Sequence, residues 1–558
     1  MFTQNIAWIG STAEGKRVSI LPRMANRHGL IAGATGTGKT ITLKVLAEAF
    51  SDMGVPVFLA DVKGDVSGLM QPGEDSPKLQ ERISRFGLAE AGFAYRGYPV
   101  TVWDIYGQNG VPLRTTISEM GPLLLARILQ LNDLQSDILG IVFKIADDEG
   151  LLLLDTKDLK AMLNWVDEHQ KELAPTYGKM STASLGSITR AVVALEMLGG
   201  DIFFGEPALN IRDWFTTSTD GRGMMQLLNS ESLINNPALY ATFLLWLMSE
   251  LFETLPEVGD MEKPKMVFFF DEAHLLFANA PKPLLDKIEQ VVKLIRSKGV
   301  GIYFCTQNPR DIPDGVLAQL GNRIEHALRA YTPADQKAVR AAADSFRVNP
   351  AFDTYETIMA LGTGEAVVSF LQEDGTPGMA EKVAILPPQS AMKAADPALR
   401  TQAVQGTLAY TRYAAAVDSD SAYEILQRLG IEEEAAAEQQ RQAEAQQKEQ
   451  EKAEALQAKQ AEKYAVLQAK LQAQQEAAQQ KLLLKQQEMA AKQAEKEAAA
   501  AARVRERAVK SVGNSVVGTV GREMGKQLGK GFGSFGKTLG GNVGASLGRG
   551  LFSTLFKR

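Results

Sequence analysis

One short glycine-rich segment carries residue types whose spacing suits phosphate chemistry. It matches G-x-x-x-x-G-K-[ST], a pattern in which backbone N–H groups surround an anion while a lysine and a hydroxyl complete the site. A short apolar run precedes the segment and helical apolar spacing follows it, as this pattern requires. We predict that a nucleoside triphosphate is bound by Gly33, Ala34, Thr35, Gly36, Thr37, Gly38, Lys39, Thr40 and Ile41.

A second cluster of chemically useful residues ends an apolar run farther along the chain. Residues 265–270 read Lys-Met-Val-Phe-Phe-Phe, and Asp271 and Glu272 follow them. In this Walker B pattern, Asp271 is predicted to hold Mg²⁺ together with Thr40, and Glu272 to orient and deprotonate the attacking water. A carboxylate is needed because water is a poor nucleophile unless it is positioned and polarised. The two motifs together predict an enzyme that hydrolyses ATP with Mg²⁺ as cofactor.

Two further candidate residues flank the apolar run 302–306. Gln307 follows the run, and a polar side chain at the tip of a strand beside the Walker B strand is placed to contact the γ-phosphate or the attacking water. Arg296 precedes the run, at the end of a predicted helix. An arginine on the rim of the domain can stabilise transition-state charge in a neighbouring subunit. It can equally complement the dipole at the helix C-terminus, so the spacing leaves two roles open.

Alternating strands and helices must position these residues. Apolar runs predict strands near residues 28–32, 55–60, 100–104, 224–228, 265–270 and 302–306, with helical spacing between most of them. This alternation is typical of a parallel sheet covered by helices. From about residue 118 to 199 the pattern is helical throughout. We therefore predict an α/β fold, a RecA-like P-loop NTPase sheet with a helical insertion.

The composition divides the chain into six segments. The predicted ATPase core has an N-terminal part at 1–117, the helical insertion at 118–200 and a C-terminal part at 201–390. A linker at 391–430 leads to a segment at 431–512 that contains no Gly or Pro, and a basic tail occupies 513–558. Because segment 431–512 is built from good helix formers, it is either a long helix or coiled coil, or a partly disordered helical extension.

The C-terminal tail has glycines at intervals of four residues, interleaved with lysine and arginine. Along a helix this spacing lines up one smooth face that another backbone can approach closely. Glycine is a poor helix former in water, so such a helix needs a partner or a lipid surface. The tail is therefore predicted to self-associate or to contact the membrane surface, and the alternative is a flexible basic extension.

Charge and cysteine content limit the possible classes of protein. The net charge of −6 is uneven: residues 509–558 carry +7, residues 431–508 carry −1 and residues 1–430 carry −12. An acidic body is unusual for a nucleic-acid binder, although a ring can line its pore with a few basic residues. A single cysteine excludes an internal disulfide, and the sequence shows neither a signal peptide nor a transmembrane segment. We therefore expect a cytoplasmic protein.

Three motifs in this order resemble the HerA/FtsK superfamily of ring ATPases: Gly33–Thr40, Phe268–His274 and Cys305–Pro309. Asp61–Asp65 is similar to a motif of related conjugation and secretion ATPases. The stretches at 27–30, 271–277 and 296–301 look most like the uncharacterised bacterial YjgR-like group, which has a HerA-like ATPase domain. The resemblance covers roughly residues 5–390 and implies the same RecA-like fold.

The resemblance implies further properties. Members of the superfamily act as homo-hexameric rings, and the polymer implied here is DNA. In the superfamily, an arginine just before the strand that ends in Gln acts on the neighbouring subunit; by position this is Arg296, with Arg323 and Arg329 as second choices. A slow, nucleotide-switched scaffold and a secretion-type ATPase that translocates protein remain alternatives.

Overall fold

The structure is a computed structural model, and it describes residues 2–3, 6–233, 237–259, 261–277 and 282–501. The chain divides into two units, residues 1–440 and residues 441–558, and the second is described as far as residue 501. The first unit contains both predicted motifs.

A single sheet of 13 strands lies at the centre of the first unit. Its strands are β1 (Phe2–Thr3), β2 (Ile6–Ser11), β3 (Arg17–Ile20), β4 (Gly29–Ala32), β5 (Val57–Asp61), β6 (Val100–Asp104), β7 (Val111–Pro112), β8 (Met225–Asn229), β9 (Met266–Phe270), β10 (Val300–Thr306), β11 (Asn322–His326), β12 (Glu365–Ser369) and β13 (Glu381–Ile385).

The central part of the sheet is parallel, in the order β11-β4-β10-β9-β5-β8-β6-β7. Strand β4, which leads into the glycine-rich segment, is separated from β9, the Walker B strand, by β10 alone. Parallel strands end at the same edge of a sheet, so the residues that follow β4, β10 and β9 lie side by side. The predicted α/β class and RecA-like sheet are confirmed.

The sheet continues on the other side of β11 as antiparallel strands. Strand β12 pairs with β11 and β13, and β13 pairs with β2, so that Ala384 lies opposite Ser11 and Ile385 opposite Gly10. Strands β1 and β3 both pair with β2. Strands β1, β2 and β3, which are not among the strands predicted from the sequence, therefore join the sheet beside its last strand, β13.

The Walker B strand is apolar throughout because both of its faces are covered. Each residue of Met266–Phe270 is fully buried, as expected for a central parallel strand. The ring of Phe268 packs on Phe58 of β5 and the ring of Phe269 on Tyr303 of β10, each with a centroid distance of 5.2 Å. This packing fixes the strand end from which Asp271 and Glu272 project.

Seventeen α-helices are present in the described part of the chain. They are α1 (Lys39–Asp52), α2 (Pro77–Arg85), α3 (Ile117–Ile128), α4 (Asp133–Glu149), α5 (Thr156–Glu168), α6 (Gln170–Tyr177), α7 (Thr182–Met197), α8 (Gly200–Phe203), α9 (Pro237–Thr254), α10 (His274–Phe277), α11 (Lys282–Ile295), α12 (Asp314–Leu317), α13 (Pro333–Asp344), α14 (Thr354–Ala360), α15 (Pro397–Gln405), α16 (Leu408–Tyr413) and α17 (Ala422–Ala501).

Helices α3 to α8 form the predicted helical insertion, between β7 and β8. Local capping residues start its first three helices. Thr116, Asn132 and Asp155 each accept a hydrogen bond from the backbone N–H three residues later, and the side chain at that later position bonds back to the cap. Such reciprocal caps satisfy N–H groups that the first helical turn leaves unpaired.

The segment 391–430, which we predict as a linker, is built into the body of the first unit. It contains α15, α16 and the start of α17, and Tyr413 is buried with its ring 5.5 Å from that of Trp103. Arg114 donates to the Tyr413 carbonyl at 2.7 Å, and the Tyr413 hydroxyl donates to Asp213 at 2.6 Å. The segment is not a free linker, because its apolar side chains cover one end of the sheet.

Truncation of Tyr413 tests this packing. Tyr413→Ala should lower the free energy of unfolding by about 3 kcal/mol, since it removes a buried aromatic ring and leaves a cavity. Urea denaturation of the full chain measures the change. Tyr331→Ala is the control, because Tyr331 is 87% exposed and should change stability by no more than about 0.5 kcal/mol. Equal stability of the two variants would show that segment 391–430 contributes no packing.

The predicted long helix is present and begins at Ala422 rather than residue 431. Every side chain from 441 to 495 is exposed, as expected for a helix with few apolar residues. The coiled coil stays a prediction. Residues 502–512 of the predicted helix and the whole glycine-rich tail, 513–558, lie outside the described residues. Within the described residues, no helix combines the length and the apolar character needed to span a membrane.

Candidate nucleotide-hydrolysis site

The segment Gly33–Thr40, here called the P-loop, connects β4 to α1 through conformations that favour glycine. The φ angles of Gly33, Gly36 and Gly38 are 147°, 77° and 117°, a region that residues with a Cβ avoid. A Cβ on Gly33 would also lie 2.5 Å from the Cβ of His326. On Gly36 it would meet no atom within 4 Å, so the outer side of the loop is open.

The start of helix α1 has the features of an anion site. Lys39 is its first residue, Gly38 provides no side-chain cap, and the first turn holds no acidic residue. The N–H groups of a first turn have no partner within the helix and lie at the positive end of its dipole. Thr40 and Ile41 follow in the same turn. The Lys39 ammonium donates to the carbonyls of Gly33 at 2.6 Å and Ala34 at 3.1 Å, so it lies over the loop.

The two predicted acids follow β9 directly and are both buried, at 7% exposure for Asp271 and 5% for Glu272. The Glu272 N–H donates to Asp271 Oδ1 at 2.9 Å. Burial, reinforced by the negative charge of Glu272, raises the pKa of Asp271 to about 6. A cation beside a buried carboxylate stabilises its ionised form, which burial alone disfavours. The raised pKa of Asp271 therefore fits its predicted role as a Mg²⁺ ligand.

Side chains that follow three different strands lie near the Glu272 carboxylate. Lys63 Nζ donates to Oε1 at 2.6 Å, Gln307 Nε2 lies 3.4 Å from Oε2, and His274 Nδ1 lies 3.3 Å from Oε2. Burial acts to raise the pKa of Glu272, but the hydrogen bond and charge of Lys63 outweigh it and leave that pKa below its ordinary value. Glu272 is therefore ionised, as its predicted role as a general base requires.

Gln307 joins the P-loop to the Walker B end, as its position after β10 requires. Its amide reaches Glu272 on one side, and its Oε1 accepts a hydrogen bond from the Thr35 hydroxyl at 3.3 Å on the other. Strand β10 lies between β4 and β9, so the residue after it faces both loops. The structure thus brings together the P-loop, Asp271, Glu272 and Gln307.

Arg296 is not part of this cluster. It is exposed in the short 3₁₀ segment Arg296–Lys298, just before β10, whereas Gln307 follows the same strand. Seven strand residues span roughly 23 Å at 3.3 Å per residue, so Arg296 cannot reach the site of its own subunit. Of the second choices, Arg323 is bound by the Leu317 and Leu320 carbonyls, and Arg329 is exposed.

Two residues of this region have no role assigned from the sequence. Lys63 lies in the motif after β5, the strand beside β9, and that placement is the signal that could have identified it. His326 lies beneath the P-loop: its Nδ1 is 2.9 Å from the Glu365 carbonyl, and its Nε2 is 2.8 Å from the Thr42 hydroxyl. Burial lowers the pKa of His326 to about 4. Because a carbonyl only accepts, Nδ1 carries the proton, and this neutral ring supports the loop.

Comparisons with known proteins cover most of the chain. The family model described as "Helicase HerA-like C-terminal" matches residues 7–465. The DNA double-strand break repair helicase HerA of Sulfolobus acidocaldarius is 22% identical over 370 residues, which are 64% of this chain and 65% of that protein. The chain thus spans less than two thirds of the length of this relative.

One further relative matches a shorter segment of the chain, and one solved structure superposes on part of it. A probable helicase of Methanocaldococcus jannaschii is 32% identical over 120 residues, 21% of each chain. The structure of the plasmid coupling protein TrwB in complex with ADP and Mg²⁺ superposes with a TM-score of 0.44 and 16% identity, over 67% of this chain and 88% of that one.

Proposed function

The chain belongs to the helicase HerA-like C-terminal family, and on that premise we propose that it hydrolyses ATP in a homo-hexameric ring and uses the reaction to translocate DNA. The predicted HerA/FtsK-type P-loop ATPase is confirmed at the level of the family. The activity, the ring and the polymer are our proposals for this chain.

The contact network at the ends of β4, β10 and β9 is the observation that carries the proposal. Thr35 of the P-loop bonds to Gln307, Gln307 bonds to Glu272, and Glu272 directly follows Asp271. A base, a polar side chain able to report the state of the phosphate, and an anion-binding loop therefore share one edge of the sheet. Such an arrangement suits an attack of water on a terminal phosphate.

The residues present fit both ATP and Mg²⁺. The uncapped, acid-free N-terminus of α1 suits the phosphates. Within the described residues no group of three or more His, Cys, Asp or Glu forms a ready metal cage. Mg²⁺ typically uses one or two protein ligands together with phosphate oxygens and waters, and Thr40 and Asp271 would provide the protein ligands. When bound, the ion neutralises charge that develops on the phosphates.

Each of the predicted residues then has its own role in hydrolysis. Lys39 exchanges its two carbonyl partners for phosphate oxygens, and Glu272 accepts the proton of the attacking water. Gln307 contacts that water or the γ-phosphate, and its bond to Thr35 reports the change to the P-loop. Arg296, which cannot reach its own site, stabilises transition-state charge in the neighbouring subunit of the ring.

DNA as the polymer rests on the family and on the similarity to HerA of Sulfolobus acidocaldarius, named as a DNA double-strand break repair helicase. The cytoplasm is the proposed location, with contact to the inner membrane through the basic tail as an added proposal. The acidic charge of residues 1–430, −12, requires that DNA meet a locally basic surface of the ring.

Stimulation by nucleic acid tests this function. We expect double-stranded DNA to raise the steady-state ATPase rate several-fold, and the DNA concentration needed should rise steeply with salt, because basic residues displace counterions from the phosphates. Single-stranded DNA and RNA at equal nucleotide concentration are the comparisons. Slow turnover that no nucleic acid changes would contradict DNA translocation and favour a nucleotide-switched scaffold or a protein-translocating ATPase.

A further inference from the structure

The side chain of Lys63 binds the predicted general base directly, although Lys63 belongs neither to the P-loop nor to the Walker B strand. We propose that Lys63 is a positioning residue, which fixes the Glu272 carboxylate in the orientation that the attacking water requires. This inference rests on the proposed ATPase function and concerns the same site.

The contacts of Glu272 show why it needs such a partner. Lys63 Nζ lies 2.6 Å from Oε1, whereas the Gln307 amide lies 3.4 Å and 3.5 Å from the two carboxylate oxygens. Among the described residues, Lys63 makes the one short hydrogen bond to this carboxylate. Glu272 also has a φ of 48°, which is uncommon for a residue with a Cβ. The orientation of the Glu272 side chain therefore depends on tertiary contacts, chiefly the contact with Lys63.

The loop that carries Lys63 is internally braced. The Asp61 carboxylate accepts hydrogen bonds from the N–H groups of Gly64 at 2.7 Å and Ser67 at 3.1 Å, and the Ser67 hydroxyl donates to the Gly64 carbonyl at 2.7 Å. Gly64 has a φ of 81°, and a Cβ there would lie 2.4 Å from Glu231 Oε1. A loop held in this way presents Lys63 in one place.

A buried lysine ties the same loop to the P-loop helix. Lys44, five residues after Lys39 on α1, is fully buried and donates to the carbonyls of Asp65 at 2.6 Å and Ala391 at 2.8 Å. The Lys63 loop and the phosphate-binding helix are thereby held at a set separation. The position of Glu272 relative to the P-loop helix is therefore fixed by two connections, the Lys63 loop and strand β9.

Replacing Lys63 with methionine removes the charge and keeps most of the side-chain length. We expect Lys63→Met to lower kcat for ATP about 10- to 100-fold, because a misplaced catalytic group costs rates of this order. KM and the Kd of a fluorescent ATP analogue should stay within about twofold, because a residue acting through Glu272 affects the chemical step and not ground-state binding. Lys63→Arg should restore a substantial part of kcat.

The controls separate positioning from general damage. Lys144→Met removes another lysine–carboxylate pair, the exposed Lys144–Asp148 bridge on α4, and should leave kcat unchanged. Lys63→Gln, which keeps a hydrogen-bond donor, is measured beside Lys63→Met in case the latter disturbs the fold, as judged by thermal melting. In a Glu272→Gln background, Lys63→Met should cause no further loss, since both changes act on one group.

Each outcome decides the inference. A selective fall in kcat with rescue by arginine supports it. An unchanged or increased kcat overturns it, and so does a parallel loss of nucleotide affinity, which would make Lys63 a phosphate ligand. If the wild-type chain hydrolyses ATP and Lys63→Met does so equally well, only this inference fails; if the wild-type chain hydrolyses no ATP, the proposed function itself fails.

Discussion

Glu272→Gln is expected to lower kcat for ATP hydrolysis by about 10²- to 10⁴-fold, the usual contribution of a general base. Glutamine has nearly the same shape and can still accept the hydrogen bond of Lys63, but it cannot take a proton from water. Nucleotide affinity should therefore stay within a few fold of the wild type. Steady-state phosphate release and equilibrium binding of a fluorescent ATP analogue measure the two quantities.

Lys39→Ala is the matched control for this experiment. Lys39 lies over the P-loop, where it donates to the Gly33 and Ala34 carbonyls, and its removal should weaken binding of the nucleotide itself. Glu272→Gln should thus lose the chemical step and keep its affinity for nucleotide, whereas Lys39→Ala should lose affinity. Near-normal turnover by Glu272→Gln would show that the residue after Asp271 is not the base.

Arg296→Ala is expected to reduce turnover by about 10³-fold or more, the range reported for arginines that stabilise the transition state of phosphoryl transfer. Arg296 lies at the start of β10, at the opposite end from Gln307, so any such effect must occur in a neighbouring subunit. The affinity of an isolated subunit for ATP should not change. ATPase assays, with nucleotide binding measured at concentrations where subunits are dissociated, provide the comparison.

Mixing of subunits tests the trans arrangement. A ring assembled from Arg296→Ala and Glu272→Gln subunits contains some interfaces with an intact Arg296 facing an intact Glu272, so the mixture should regain part of the activity that each variant lacks. Lys293→Ala, which changes a nearby exposed basic residue at the end of α11, should retain full activity alone. Absence of rescue over the whole mixing range would exclude Arg296 as a residue acting across the interface.

Local signals in the sequence were sufficient for the two motifs and for six of the strands, namely β4, β5, β6, β8, β9 and β10. The P-loop requires glycines at positive φ between a strand and a helix, a property of about a dozen consecutive residues, and Gly33, Gly36 and Gly38 meet it. Apolar runs bounded by polar residues likewise marked the central strands, because parallel strands are buried on both faces. The long helix was one of two alternatives that the composition of segment 431–512 left open, and the described helix begins at Ala422, before the predicted start.

Contacts between distant segments were decided by the tertiary structure. Lys63 and Glu272 are 209 residues apart, and they meet because β5 and β9 are neighbours in the sheet. The pairing of β2 with β13 and the packing of Tyr413 on Trp103 likewise join segments that are far apart in the sequence. The periodicity of a segment shows which of its faces is buried but not which strand or helix covers it. The sequence by itself therefore determined the chemistry that each strand end carries, whereas the strand order decided which strand ends share one site.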